Sequence, residues 1–400
     1  NHGTSEAAAL FIGGSWLASV GESAGTRWQI MGRHWIEKQT PRLIGPHGSF
    51  SQYSLNYHRL MLDTMSLVKI WQNRLNQRPF SQKWGDCVSE AARWIFRMTN
   101  SQNGDGPNVG ANDGAQLLPL AGVSYRDFRP SVQLAFALFS NLRAYSEDGP
   151  WNNLLRGLGV PLPQKEASPP NCYIADDGGF AMLRNQRAIA MLRYPRFKFR
   201  PSQADALHLD LWLDDENILC DAGTYSYNTD PKWMTYFSGT ASHNTIQFDG
   251  RDQMPRLGRF LFGNWLKTLY MEPLSTVNET TKFSAGYRDD RGATHRRQLS
   301  MTESKLMIRD KVSGFSDKAV LRWKLAPGNW TVEGNENLVR LIKADGDWFS
   351  LAVESDIPLS RFELVEGWRS LHYLKKESVP VLEVEVNFPG ILTTEVSWKK

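Results

Sequence analysis

Along the first 160 residues, apolar side chains recur at three- and four-residue intervals. Ala8, Phe11, Ile12 and the run 15–17 form one stripe, and Trp28, Met31 and Trp35 a second. Met61, Met65 and Val68 form a third, and Trp84, Val88, Ala91 and Ile95 a fourth. That spacing predicts helices. Pro130 opens a further helix, and residues 151–158 close the run. Repeated helices with short Gly/Pro/Asn connectors predict an α/α assembly of paired helices. Residues 101–114, SQNGDGPNVGANDG, break the pattern with Gly, Asn and Asp. They predict a long loop, of the kind that often carries function.

From residue 172 the period changes to two. Residues 188–192, 206–213, 218–221, 245–248, 305–308, 319–325 and 382–386 read as strands. Asp176-Asp177-Gly178-Gly179, Asp214-Asp215, Asp249-Gly250 and Pro327-Gly328-Asn329 supply turns between them. The expected fold class is α+β with two domains. A domain of paired α/α helices covers 1–159, a Pro-rich linker 160–171, and an antiparallel β-sandwich 172–400.

Composition narrows the partners. In 400 residues, 46 Lys and Arg oppose 42 Asp and Glu, a net of +4 without a basic run. That excess excludes nucleic acid as the expected partner and leaves room for an anionic ligand where the charge clusters. No apolar run reaches the length of a membrane span, and no signal peptide is present. The chain opens without Met, directly in what reads as a helix. A fragment or processed form is therefore expected. Fifteen Trp, 12 Tyr and 19 Phe suit sugar faces, but most are expected to fill cores. Cys87, Cys172 and Cys220 are far apart and make no metal-binding spacing, so free thiols are expected.

Candidate chemistry gathers in a few stretches. FSGTASHNTIQFDGRDQ, 237–253, sets His243 at a strand mouth among Asn, Thr and Asp. That is a position for proton transfer, for metal binding, or for a histidine that only satisfies a loop. NHGTSEAAAL opens the chain, NYHRLMLD lies in 48–63, SQADALHLDLW covers 202–212, and CDAGTYSY covers 220–227. Asn-His at a helix start, Asn-Tyr-His-Arg on a second helix and Ser-His-Asn-Thr before a strand form a set. Together with NDGAQLLPL and YRDFRP, this set resembles the heparinase II/III superfamily of polysaccharide lyases, related to alginate lyases and heparin/heparan sulfate lyases.

The resemblance implies β-elimination on a uronic-acid-containing acidic polysaccharide, in a cleft between the helical and β domains. It also implies that the helical domain is an α/α toroid, incomplete at its start, and that the location is periplasmic or secreted. A uronate must have its carboxylate neutralised, its adjacent proton removed and its leaving oxygen protonated. The resemblance gives Asn1 the first task and His2 the second. Tyr57 is the acid, or acid and base together. Relatives carry His-x-His before an Ala-Asp pair, whereas Pro201 and Gln203 stand there in this chain. Asp221 and His243 fall at positions of zinc ligands, with Gln203 as a poor third, so a structural zinc is the candidate cofactor. An ion-free Asp–His pair is the alternative. Asn112, Arg126, Tyr236 and Arg251 are candidate substrate contacts. A non-catalytic glycan-binding or biosynthesis-associated protein is the other reading of the whole. A glycoside hydrolase would need facing carboxylates, for which Asp113 and Asp127 are the candidates.

Overall fold

The computed structural model describes residues 2–343 and 348–399. The chain divides into two compact units. One comprises Asn1–Gly106 with Gly114–Pro170, the other Pro107–Asp113 with Asn171–Lys400.

The first unit is helical: α1 (His2–Ser19), α2 (Ser23–Leu43), α3 (Leu55–Arg74), α4 (Gln82–Met98), α5 (Arg129–Ser140) and the short α6 (Asn153–Gly157). α1 and α2 pack antiparallel with their backbones in contact. A Cβ on Gly14 would stand 2.4 Å from Gln29 N, and one on Gly32 2.3 Å from Phe11 N. The contact buries Ala7, Ala8 and Phe11. It turns the expected stripe of Trp28, Met31 and Trp35 outward, at 41%, 39% and 38% exposure. The helical period of that stripe was legible, but its face is not core. α3 is buried nearly all round, and the Ser54 hydroxyl caps it by accepting from Tyr57 N at 3.2 Å. Ser81 caps α4 in the same way, and Pro130 sits in the first turn of α5.

The second unit is antiparallel β. A five-stranded sheet contains β1 (Tyr173–Ala175), β2 (Phe180–Arg184), β3 (Ala188–Arg193), β4 (His208–Leu213) and β5 (Glu216–Leu219). The short helix α7 (Pro231–Ser238) precedes β6 (Ile246–Phe248), and β7 (Arg256–Gly258) pairs with β8 (Leu261–Phe262). Next come β9 (Thr268–Val277), β10 (Thr280–Arg288), β11 (Thr294–Met301), β12 (Lys305–Ser313) and β13 (Ala319–Lys324). The last strands are β14 (Trp330–Gly334), β15 (Leu338–Lys343), β16 (Phe349–Ser355), β17 (Arg361–His372), β18 (Lys375–Val386) and β19 (Gly390–Trp398).

An eight-stranded sheet runs β14-β15-β16-β19-β12-β11-β10-β9, and a four-stranded sheet runs β17-β18-β13-β6. β11, β12 and β19 alternate buried and open positions, as half-covered strands should. β3 and β4 are buried at every position. One apolar core joins Leu209 and Leu211 of β4 to Leu299, Leu306, Trp323 and Leu382 on the other sheets. The β6 turn is held by Asp249 at φ 52°, whose carboxylate accepts the amides of Ser316, Asp317 and Lys318.

Candidate functional site

Three elements of the β unit converge on a buried polar cluster. The mouth of β4 supplies His208, the residues after β5 supply Asp221, and the segment before β6 supplies His243. His208 and Asp221 are fully buried and His243 is 1% exposed. His243 Nδ1 lies 2.8 Å from Asp221 Oδ2, and His208 Nε2 lies 3.3 Å from the same oxygen, off the line of a well-formed hydrogen bond. Asp221 Oδ1 accepts the Gly223 amide at 2.6 Å. Gly223 has φ 72°, and a Cβ there would meet Asn108 Nδ2 at 2.1 Å, so the turn that aims Asp221 needs glycine.

Electrostatics follow from burial and pairing. Burial alone would push the Asp221 carboxyl up, but the His243 and His208 rings and the hydrogen bonds from His243 and Gly223 outweigh it and hold it at about 2. Burial would pull His243 down, yet the Asp221 charge and hydrogen bond raise it above 6.5. Burial dominates at His208 and takes it to about 3. Asp205, close enough to act on His243 by charge, is itself raised by burial.

Asn244 ties the cluster to the sandwich. Its amide N–H donates to His208 Nδ1 at 3.0 Å, and its side-chain nitrogen donates to Leu209 O and Cys220 O. Its side-chain oxygen accepts the Lys324 amide, and its carbonyl accepts Arg297 Nη1, both at 2.6 Å. Arg297 in turn pairs with Asp310, which also meets His295 Nε2 at 2.7 Å.

Among the expected ligands, Asp221 and His243 do meet, but Gln203 is not the third. Its Oε1 accepts the Gly110 amide at 2.9 Å and its Nε2 donates to Gly223 O at 3.0 Å. One end of that amide braces the loop at 107–113 and the other the turn at Gly223. His208, which lies outside the motif, takes the third place. As arranged, the set does not fit a zinc ion. The His208 nitrogen facing Asp221 carries a proton, because the other nitrogen accepts the Asn244 amide.

The remaining candidates fall as follows. Asn1 lies outside the described residues. His2 is exposed at the start of α1, and Tyr57, 7% exposed, is in the first turn of α3. His58 beside it stacks on Trp94 at 4.4 Å between centroids and meets Ala91 O at 2.8 Å. Arg126 is buried against Asp105 and donates to Gly106 O, each at 2.5 Å. Asp127 pairs with Arg129 at 2.7 Å. Asn112, 1% exposed, belongs to the β unit. The Tyr236 hydroxyl accepts from Lys324 Nζ at 3.0 Å and from Trp368 N at 2.8 Å. Arg251 pairs with Asp289 at 2.6 Å. All three cysteines are free.

Next to Gln203 the β unit has a small pocket lined by Tyr227, Phe237, Phe260, Arg256 and Arg259 among others. Arg256 is fixed by Met234 O at 2.7 Å and Ser238 Oγ at 2.6 Å, whereas Arg259 is exposed. Aromatic walls with guanidinium groups suit a sugar ring bearing an anionic substituent.

No curated protein matches the chain. Among solved structures, a heparinase III gene product is similar over 98% of this chain and 58% of its own, at 14% identity and TM-score 0.77. The heparan sulfate lyase HepC from Pedobacter heparinus is similar over 98% and 59%, at 16% and 0.74. The chondroitin AC lyase of Streptomyces coelicolor A3, in complex with chondroitin sulphate, is similar over 93% and 57%, at 11% and 0.58. The chain therefore spans under three-fifths of the length of these structures, and the likeness shows the fold: helices followed by antiparallel sheets. Residues 169–399, more than half of the sequence, match the family profile described as heparinase II/III-like, C-terminal. The chain belongs to the heparinase II/III-like family.

Proposed function

We propose that the protein is a lyase that cleaves a uronic-acid-containing acidic polysaccharide by β-elimination. The observation that carries this reading is the profile match over residues 169–399, joined by solved relatives named as heparan sulfate and chondroitin AC lyases. In the proposed reaction, His2 takes the proton beside the carboxylate, and the Asn1 amide stabilises the charge that develops there. Tyr57 gives its proton to the glycosidic oxygen as the carbon–oxygen bond breaks. A carbon–carbon double bond conjugated to the carboxylate forms, and each proton is accounted for. Neutral Tyr57 needs no shift to act as the acid. No step passes through a metal. The aromatic and guanidinium pocket of the β unit is the proposed contact for an acidic sugar. A periplasmic or secreted location belongs to the same proposal; among the described residues, no helix is long and apolar enough to cross a membrane.

The test is incubation with alginate, heparan, chondroitin and hyaluronan while ultraviolet absorbance of the unsaturated product is followed. Activity is expected on at least one, with Tyr57→Phe lowering kcat by about 10²–10⁴-fold while leaving the far-ultraviolet circular dichroism unchanged. Wild-type rates in that variant remove Tyr57 from the chemistry. One observation favours glycan binding without cleavage. Gln203 occupies a position where relatives place a histidine, and its amide is fully engaged and transfers no proton. Binding without any ultraviolet product selects that reading.

A further inference from the structure

An ion between Asp221 and His243 meets a specific obstacle in this chain. We propose that His208, standing where a third ligand would, keeps its proton towards Asp221, and that the Asp221–His243 pair is held by protein groups alone, independent of metal. The inference stands on the geometry of the β unit and does not depend on lyase activity.

The first argument is the tautomer. The Asn244 amide donates to His208 Nδ1 at 3.0 Å. A nitrogen that accepts an N–H needs its lone pair, so the neutral ring carries its proton on Nε2. Nε2 is the atom 3.3 Å from Asp221 Oδ2. A protonated nitrogen cannot ligate. Making it a ligand requires either an imidazolate or the loss of the Asn244 bond. Metal-bound imidazoles show the opposite arrangement, with the distal nitrogen donating. Turning the ring over sets a C–H against the amide. The amide itself cannot swing away, because Asn244 is pinned through its side chain and its carbonyl.

The second argument is distance. His243 Nδ1 and Asp221 Oδ2 are 2.8 Å apart. Two ligands on a tetrahedral zinc with bonds of roughly 2.0–2.1 Å stand roughly 3.3 Å apart. The shorter separation is that of an N–H donating to a carboxylate. The Gly223 amide fills the other carboxylate oxygen at 2.6 Å. His208 is thus a positioning residue: its N–H faces the carboxylate from one side while His243 is held on the other.

The experiment uses the full chain, expressed in zinc-supplemented medium and dialysed. Elemental analysis is expected to find zinc well below one per chain. The thermal midpoint is expected to be the same in EDTA and in added zinc chloride. Nitrogen-15 spectra of labelled histidine are expected to show His208 as the Nε2–H tautomer in both. Near-stoichiometric zinc surviving dialysis, a saturable rise in midpoint with zinc, or a His208 carrying its proton on Nδ1 would each overturn the proposal. Two variants separate positioning from mere bulk. H208Q keeps an N–H donor towards Asp221 and is expected to hold the wild-type midpoint, whereas H208L is expected to lose at least about 4 °C. Equal midpoints for both variants, whether high or low, overturn the positioning role.

Discussion

His58 and Asp63 sit five residues apart on α3, both buried, and burial drives them in opposite directions. It depresses His58 to about 4 and raises Asp63 to about 7. The unfolded chain protonates His58 below 6.5 but the folded chain only near 4, so this group removes stability as pH falls across that window. The unfolded chain ionises Asp63 above 3.8 but the folded chain only near 7, so this group removes stability as pH rises across that one. Each contribution is on the order of 3 kcal/mol, and between pH 4 and 6.5 they offset one another. Urea midpoints of the helical unit should show it. D63N should become less stable than wild type on acidification from pH 6.5 to 4, and H58Q should lose stability as pH rises from 4 to 7. Parallel profiles for wild type and both variants would refute the offset. At this scale the sequence identified Asp221 and His243 by motif. His208 was not legible there, because it sits within the strand alternation of SQADALHLDLW, five residues beyond the motif position held by Gln203. The hairpin held part of the signal: β4 and β5 pair antiparallel, with a shift between Leu211 and Trp212, so the start of β4 at His208 and the residues after Leu219 fall at the same end of the pair.

Elements were legible where one periodicity ruled. α3 and α4 follow their apolar stripes, and β3, β13 and β18 lie where alternation or apolar runs placed them. β9 was not legible, because an edge strand whose side chains are mostly exposed carries little alternation to read. The α2 stripe misled for a related reason. A period fixes which residues share a face, but glycine decided which face meets α1. Gly32→Ala puts a methyl 2.3 Å from a backbone nitrogen, which no side-chain motion relieves. The helical unit should lose about 1–3 kcal/mol in chemical denaturation. An unchanged midpoint would show that α1 and α2 are not in backbone contact. Gly3→Ala, with open space around it, is the matched control.

For the whole molecule, the two periodicities of the sequence were enough for the fold class, and its motifs for the family. The substrate was not legible, because recognition of an acidic sugar depends on where a few charges converge rather than on a net of +4. In the proposed lyase, raising ionic strength should therefore raise KM and leave kcat nearly unchanged, and R259A should remove most of that salt dependence. A salt response that R259A leaves intact would place the electrostatic contact elsewhere. Asn244 carries a different consequence. One residue there joins β4, the end of β5, β13 and, through Arg297, β11. An aspartate of identical outline would aim a negative charge at two carbonyls that now accept hydrogen bonds from the Asn244 side chain. Asn244 thus touches three sheets at one residue, so its replacement should loosen all three seams together rather than one.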